Sequence, residues 1–291
     1  MVEHILGNYL METGRISKVQ LRLVLDRMDS VRVKLGLIAV SEGFMTFAQA
    51  EEVNRLQALQ DKRFGDIAIE KGYLTEEQVG KLLKAQQNTF LTFAQALVDE
   101  QIIKMEQLED ILEGFRKAND FSNTELEDIK SDEIERIVPV LLPGGAEKYK
   151  EPIEIVMRSM VRLIDRHTCM GKAVLTETAR TDNMVVQELR GDKVSYLTCF
   201  QEGDGALLTV GSFFGQMEFE TLDEDALDAA AELLNCVNGL FASARSRNGQ
   251  FLELMPPQYA VDGVDVPKTA AYKVPIYIEN QMLYFIIAEL V

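Results

Sequence analysis

The sequence contains no tryptophan, two histidines and three cysteines among its 291 residues. Cys169, Cys199 and Cys236 are scattered, so they form neither a disulfide framework nor a paired-cysteine metal motif. His4 and His167 are too few for a histidine-rich metal centre, and we predict no metal site. Three scattered thiols are typical of a protein from a reducing compartment, which favours a cytoplasmic location.

Basic residues are also scarce, since 30 Lys and Arg face 47 Asp and Glu for a formal net charge of −17. A surface that binds duplex nucleic acid must be basic, so we expect no nucleic-acid partner. The longest stretch without a charged residue, 85–98, is shorter than the about 20 apolar residues of a membrane-spanning helix. No basic region precedes an apolar run at the start of the sequence, so no signal peptide is predicted. We therefore expect no membrane insertion.

The first part of the sequence repeats with a period of 29 residues. A glycine in each unit is predicted to end a short helix in the left-handed conformation. A hydroxyl residue followed three positions later by Gln predicts a capping box at the start of a second helix. Helix pairs this short cannot bury an apolar face alone, so neighbouring units must stack into an all-helical module. The four repeating columns are Gly7, Gly36, Gly65 and Ala94; Gly14, Gly43, Gly72 and Gln101; Ile16, Met45, Leu74 and Ile103; and Gln20, Gln49, Gln78 and Gln107.

These repeats resemble, over about residues 4–115, the N-terminal domain shared by type II secretion and type IV pilus ATPases. That domain is called MshEN in its cyclic-di-GMP-binding form. The third copy matches the family motif best and carries its arginine as Arg63, whereas the second copy has Lys34 in that column. The resemblance implies Arg63 and Lys34 as nucleotide-binding residues. Ile5 and Thr92 occupy the column in the other copies and cannot contact a phosphate as arginine would, which favours a helical docking or sensing module instead.

A polar, acidic segment separates the repeats from the rest of the sequence. It ends in a Pro-Gly-Gly break at residues 143–145. We therefore predict a helical repeat domain over 1–116, a linker over 117–145 and a second domain over 146–291.

The second domain is predicted to be an antiparallel sheet with two long helices on one face, which makes the whole chain α+β. Pro275 indicates that one of the strands lies at a sheet edge, and residues 279–281 are predicted to join the last two strands. Helical spacing of apolar residues marks 153–164 and 224–243. The predicted strands, rich in Val, Thr, Leu and aromatic residues, are 172–178, 183–189, 193–201, 206–212, 270–278 and 282–290.

The second long helix has an unusual polar face. Asp228, Glu232, Asn235 and Gly239 follow one another at i, i+4, i+7 and i+11, so they line up away from the apolar stripe. Asparagine and glycine are poor helix formers, and glycine costs up to about 1 kcal/mol against alanine. A face with carboxylates, an amide and a residue without a side chain suits close approach by a partner. An ordinary solvated face is the alternative.

The pattern Asp228-x3-Glu232-x2-Asn235, with adjacent prolines after 20 and 21 further residues, resembles the signature of the CheC/CheX/FliY family. The order of elements resembles CheX. The resemblance implies a phospho-aspartate phosphatase, a hydrolase, acting on a CheY-like response regulator in chemotaxis or two-component signalling. It implies catalytic roles for Glu232 and Asn235 and a docking role for Asp228. Gly239 is predicted to take part in docking because a residue without a side chain allows close approach to the helix backbone.

The resemblance also implies a homodimer. It implies one site per chain, because Lys150 and Met157 stand at the acidic and asparagine positions of the first long helix. No cofactor is expected on this chain, and the Mg²⁺ is expected on the regulator. The alternative is a non-catalytic binding or adaptor protein, such as a cyclic-di-GMP effector acting through the repeats.

Overall fold

A computed structural model describes residues 1–28, 30–60, 62–86, 88–278 and 281–290. The chain divides into two compact units, one of residues 2–133 and one of residues 134–291 together with Met1. The described part of the first unit contains helices and no strand. Its α-helices are α1 (Val2–Glu12), α2 (Lys18–Met28), α3 (Leu35–Ser41), α4 (Phe47–Gln60), α5 (Phe64–Glu70), α6 (Glu76–Ala85), α7 (Thr89–Asp99), α8 (Leu108–Ala118) and α9 (Asn123–Lys130).

The predicted helix-ending glycines adopt the left-handed conformation. Gly14, Gly43 and Gly72 have φ angles of 68°, 67° and 71°. In the fourth copy Gln101 has a φ of 57°, so the turn is kept although the glycine is lost. The turn therefore keeps its backbone geometry in the copy that has lost the glycine, and the three glycines adopt it without a steric cost.

Capping boxes start the second helix of the first three copies, as predicted. In the third copy the backbone N–H of Gln78 donates to the Thr75 hydroxyl at 3.2 Å, and the backbone N–H of Thr75 donates to Gln78 Oε1 at 2.8 Å. Equivalent pairs join Ser17 to Gln20 and Thr46 to Gln49. In the fourth copy only the glutamine can take its part, and the backbone N–H of Lys104 donates to Gln107 Oε1.

The first glycine column lets the two helices of one copy touch. A Cβ atom on Gly7 would lie 2.7 Å from Leu21 Cδ1, and one on Gly65 would lie 2.9 Å from Val79 Cγ1. Both contacts are closer than a side chain tolerates, so the backbone of the first helix rests directly on an apolar side chain of the second. Each partner lies 14 residues after its glycine.

Residues 117–145, predicted to be a linker, contain two helices. The first is α9, and the second, α10, spans Ile134–Leu141. The two units divide between them. A capping box starts α9, because the backbone N–H of Glu125 donates to the Ser122 hydroxyl and the backbone N–H of Ser122 donates to the Glu125 carboxylate.

The second unit is an antiparallel sheet with helices, in agreement with the predicted α+β class. Its strands are β1 (Cys169–Met170), β2 (Val174–Glu177), β3 (Met184–Gly191), β4 (Ser195–Glu202), β5 (Leu252–Leu254), β6 (Gln258–Ala260), β7 (Ala270–Ile278) and β8 (Gln281–Leu290). They pair in the order β1-β7-β8-β4-β3-β5, with β2 also on β7 and β6 also on β3. Pro275 does not mark an edge strand, because β7 pairs on both sides. Pro275 lies where the outer partner of β7 changes, since β1 faces residues 276–277 and β2 faces residues 270–273. Residues 279 and 280 of the predicted connection lie outside the described residues.

The α-helices of this unit are α10, α11 (Lys150–Leu163), α12 (Ala206–Gly215) and α13 (Glu224–Arg247) among the described residues. The strand predicted over 206–212 is wrong, because these residues form α12. The carboxylate of Glu202, at the end of β4, caps this helix by accepting from the backbone N–H of Leu207 at 3.1 Å. A Cβ atom on Gly211 would lie 2.5 Å from the Ala226 carbonyl oxygen, so only glycine lets α12 approach α13 this closely. No helix in the described parts of the chain combines the length and apolar character needed to cross a membrane.

The long helix α13 rests on the sheet through its apolar stripe. Phe241 packs edge-to-face on Tyr196 of β4, with ring centroids 5.2 Å apart. The other face of the sheet has its own apolar cluster, including Val186, Leu197 and Ile286, against which Val264 packs. The sheet is thus buried on both faces, and α13 is fixed along one of them.

Candidate functional site

The polar face of α13 forms an accessible side of the helix. Asp228 and Glu232 are exposed, and Asn235 and Gly239 are half-buried. The apolar residues Leu227, Ala231 and Leu234 on the opposite side are fully buried. The four residues that the spacing predicted to align therefore share one accessible ridge of the second unit.

The carboxamide of Asn235 is held from below by the sheet. Its Oδ1 atom accepts a hydrogen bond from Gln187 Nε2 on β3 at 2.7 Å. The same nitrogen donates to the Met255 carbonyl at 2.8 Å. Met255 directly precedes Pro256 and Pro257, so one glutamine links the asparagine of the pattern to the segment that carries its prolines.

Two further polar groups fix this glutamine. Asn238 Nδ2 donates to Gln187 Oε1 and to Thr198 Oγ1, both at 2.7 Å. The Thr198 hydroxyl donates in turn to the Gln187 backbone carbonyl at 3.2 Å. Gln187, Thr198 and Asn238 are each at most 1% exposed, so the cluster is shielded from water. Asn238 is a structural residue, because its buried amide group supports Gln187 and Thr198.

Asp228 interacts with the sheet side as well. The Asp228 carboxylate lies beside the hydroxyl of Tyr259 on β6, and its interaction with this hydroxyl raises the pKa of Tyr259 above its ordinary value. The nearby carboxylates of Glu224 and Asp225 act in the same direction. The first turns of α13 are therefore strongly acidic, which favours a cationic group on anything that docks there.

Glu232 and Gly239 have no such partner among the described residues. Glu232 forms no hydrogen bond or ion pair with the described part of the chain and stands one turn before Asn235. A Cβ atom added to Gly239 would have no described atom within 4 Å. Packing within this unit therefore does not require a glycine at this position.

The corresponding face of α11 is closed. Met157, where asparagine would be needed, is fully buried. Glu154 is 11% exposed and lies between Lys150 and Arg158, with nitrogen–oxygen distances of 3.5 and 3.6 Å. This helix offers neither a free carboxylate nor an amide, so α13 carries the candidate site of this unit.

The two predicted nucleotide-binding residues lie at equivalent positions in the first unit, directly before α3 and α5. The Lys34 ammonium group contacts the Asp99 carboxylate at 3.1 Å, and the Lys34 backbone N–H donates to Gln95 Oε1. Arg63 is exposed and forms no ion pair with the described residues. Lys34 is thus already paired with an acidic neighbour, whereas Arg63 has no acidic partner among the described residues.

Gln187 and Tyr259 were not predicted as site residues. Gln187 carries a weak signal, because it stands between Val185 and Leu189 on the buried side of a strand where an apolar residue is expected. A polar residue at such a position must find a buried partner. Nothing in the sequence connects Tyr259 with Asp228.

No protein-family model and no curated protein matches the sequence. Several solved structures are similar to it. Chemotaxis protein CheX from Vibrio vulnificus is 14% identical, covers 48% of this chain and 96% of its own, and has a TM-score of 0.42. CheX from Desulfovibrio desulfuricans is 13% identical, with 49% and 99% covered and a TM-score of 0.42. The CheX–CheY–BeF3–Mg complex from Borrelia burgdorferi gives 18% identity, 49% and 98% coverage and a TM-score of 0.42.

Proposed function

We propose that this chain is a phosphatase that hydrolyses the phospho-aspartate of a CheY-like response regulator. The observation that carries the proposal is the accessible ridge of α13. It presents the free carboxylate of Glu232 one turn before an Asn235 carboxamide whose position is fixed by the sheet. The proposed partner belongs to the class found with CheX in the Borrelia burgdorferi complex.

The chemistry requires little from the phosphatase except positioning. A phospho-aspartate is an acyl phosphate, which water already hydrolyses. The water oxygen attacks phosphorus, the bond from phosphorus to the aspartate oxygen breaks, and inorganic phosphate leaves with both protons of the water. Holding that water in line with the breaking bond is the main contribution in phosphoryl transfer. The Asn235 carboxamide can supply this positioning.

Glu232 supplies the second part of the proposed mechanism. A carboxylate on an already acidic helix needs a cationic partner, and the active-site lysine of the regulator is that partner in our proposal. Pairing with Glu232 draws the lysine away from the phosphoryl group and makes room for the water. Asp228, held by Tyr259, and Gly239, with open space above it, are proposed to dock the regulator.

We propose no metal or cofactor bound by this chain. The Mg²⁺ of the reaction belongs to the regulator, where it neutralises charge on the phosphoryl oxygens. The carboxylates of Asp228 and Glu232 are assigned to docking and to the lysine.

The test is the decay of phosphorylated regulator. The CheY-like regulators of the same organism are phosphorylated with acetyl phosphate, freed of excess reagent and mixed with the full chain. We expect faster decay for at least one of them and, with Asn235→Ala, a loss of up to about 100-fold in that acceleration because the water is no longer positioned. The neighbouring exposed residue provides the control, and Cys236→Ala should retain the activity. Decay that the wild-type chain leaves unchanged for every regulator would contradict the proposal.

The first unit is proposed to dock or sense a partner for the phosphatase. Binding of cyclic-di-GMP at Arg63 and Lys34 stays a prediction, and the ion pair between Lys34 and Asp99 weighs against it. The homodimer also stays a prediction. The exposed side chains of Val174 and Leu175 on β2, which pairs only with β7 among the described strands, are compatible with it.

A further inference from the structure

The hydrogen bonds behind Asn235 have only one self-consistent direction. The Met255 backbone carbonyl can only accept, so the Gln187 atom that faces it must be the Nε2 donor. The same Nε2 atom faces Asn235, and the Asn235 atom that meets a donor must be the oxygen. Backbone chemistry thus determines the orientation of two side-chain amides.

The other end of the cluster gives the same direction independently. Gln187 Oε1 is an acceptor and meets the Nδ2 donor of Asn238. The second hydrogen of that nitrogen goes to the Thr198 hydroxyl, which donates to the Gln187 backbone carbonyl. Two backbone carbonyls therefore fix the series of hydrogen bonds from both ends, and reversing any one amide would leave either a donor facing a donor or an acceptor facing an acceptor.

From this geometry we infer that Gln187 is a positioning residue, which holds the Asn235 carboxamide with its oxygen toward the sheet and its NH₂ group toward the docked regulator. The inference rests on the proposed phosphatase function and deepens it. Gln187 is 1% exposed, so it acts through Asn235 and does not touch the regulator itself. It also joins Asn235 to the segment before Pro256, which fixes both sides of the site relative to each other.

The orientation defines what Asn235 does in the reaction. Its two N–H groups donate either to the oxygen of the attacking water or to a phosphoryl oxygen, both of which are acceptors. The water keeps its other lone pair for the attack on phosphorus, and both of its protons leave with the phosphate. Asn235 therefore works as a hydrogen-bond donor, while one lone pair of its Oδ1 is already engaged by Gln187.

The kinetic test is a double-mutant cycle on the full chain, with a regulator phosphorylated by acetyl phosphate as the substrate. Gln187→Met keeps the length of the side chain and removes its polar atoms. We expect kcat to fall about 10- to 100-fold with KM unchanged, because a misplaced group loses rate without losing docking. In the Asn235→Ala background the same change should cost nothing further. If the losses in kcat of the two single variants multiply in the double variant, or if only KM rises, the inference is overturned. Gln258→Met, at an exposed position on β6, is the matched control and should change neither parameter.

A second measurement does not depend on activity. The ¹⁵N heteronuclear NOE of the Asn235 side-chain amide, recorded on the full chain, should be high in the wild type and fall in Gln187→Met, while the backbone amides of α13 keep their values. An unchanged side-chain value would overturn the inference. If no regulator is hydrolysed but the NOE falls, the phosphatase proposal fails while the positioning of Asn235 stands.

Discussion

Replacing Gly239 by alanine is expected to strengthen α13 and to weaken docking, so its two effects have opposite signs. Gly239 lies in the interior of a 24-residue helix, and a Cβ atom there would have no described atom within 4 Å. The change should therefore stabilise the helix by about 1 kcal/mol, the usual difference in helix propensity. Nothing in the packing of this unit opposes that gain.

Docking should respond in the opposite direction because the regulator is proposed to approach the helix backbone at Gly239. A methyl group inserted into a packed contact typically costs about 1–3 kcal/mol. That cost corresponds to a loss of roughly 5- to 150-fold in affinity. The side chain of the next residue, Leu240, is exposed. A methyl group added at position 239 would therefore not be the only apolar group on this surface.

Two assays on the full chain separate the effects. Hydrogen exchange of the α13 amides should slow by about fivefold, the equivalent of 1 kcal/mol in local opening. The Kd for a CheY-like regulator held in its active form by beryllium fluoride should rise by the factor given above. Gly80→Ala, the same change on an open face of α6, is the control and should leave this Kd unaltered. Slower exchange with an unchanged Kd for Gly239→Ala would refute the docking role of Gly239.

The remaining predictions concern the fold. Gly72→Ala should destabilise the first unit by roughly 1–2 kcal/mol because its φ of 71° is left-handed, whereas Gly80→Ala should stabilise it. Urea denaturation of the full chain measures both changes in the free energy of unfolding, and changes of the same sign would contradict the assignment. Burial raises the pKa of the Cys199 thiol to about 12. Its contribution to stability is therefore present below the unfolded pKa of about 8.5 and is lost as the pH rises from there toward 12. Because Cys169 is buried and Cys236 exposed, Ellman's reagent should label one thiol of the native chain at pH 8, and labelling of two or more would be inconsistent with this burial.

Local signals could be predicted from the sequence because few residues decide them. A left-handed turn needs one residue that tolerates positive φ, and Gly72 provides it three positions before a capping box at Thr75. The alignment of polar residues on α13 could be predicted for the same reason, since 3.6-residue periodicity alone places Asp228 and Glu232 one above the other. These features depend on contacts within about four residues.

The errors concern contacts between distant residues. Residues 206–212 form a short apolar run that suits a strand or a buried helix equally well. Glu202 decides in favour of the helix by capping it, and Gly211 does so by allowing contact with Ala226. Gln187 was missed in the same way, because its partner Asn235 lies 48 residues further along the chain. The residues around a position in the sequence cannot reveal a role that depends on a contact with a distant segment.

The contrast between α11 and α13 explains why an acid and an amide on a helix are not sufficient for a site. On α11 the carboxylate of Glu154 is already paired with basic neighbours on its own helix, and Met157 points into the core. On α13 the carboxylate is left free, and the amide is supported by Gln187 from the strand beneath it. Since an unsupported surface asparagine samples several rotamers, a support of this kind is what makes a weak functional group useful for positioning a water. We therefore expect that a chain with an apolar residue at position 187 would still dock a regulator through Asp228, Glu232 and Asn235. It would hydrolyse the phospho-aspartate of that regulator slowly.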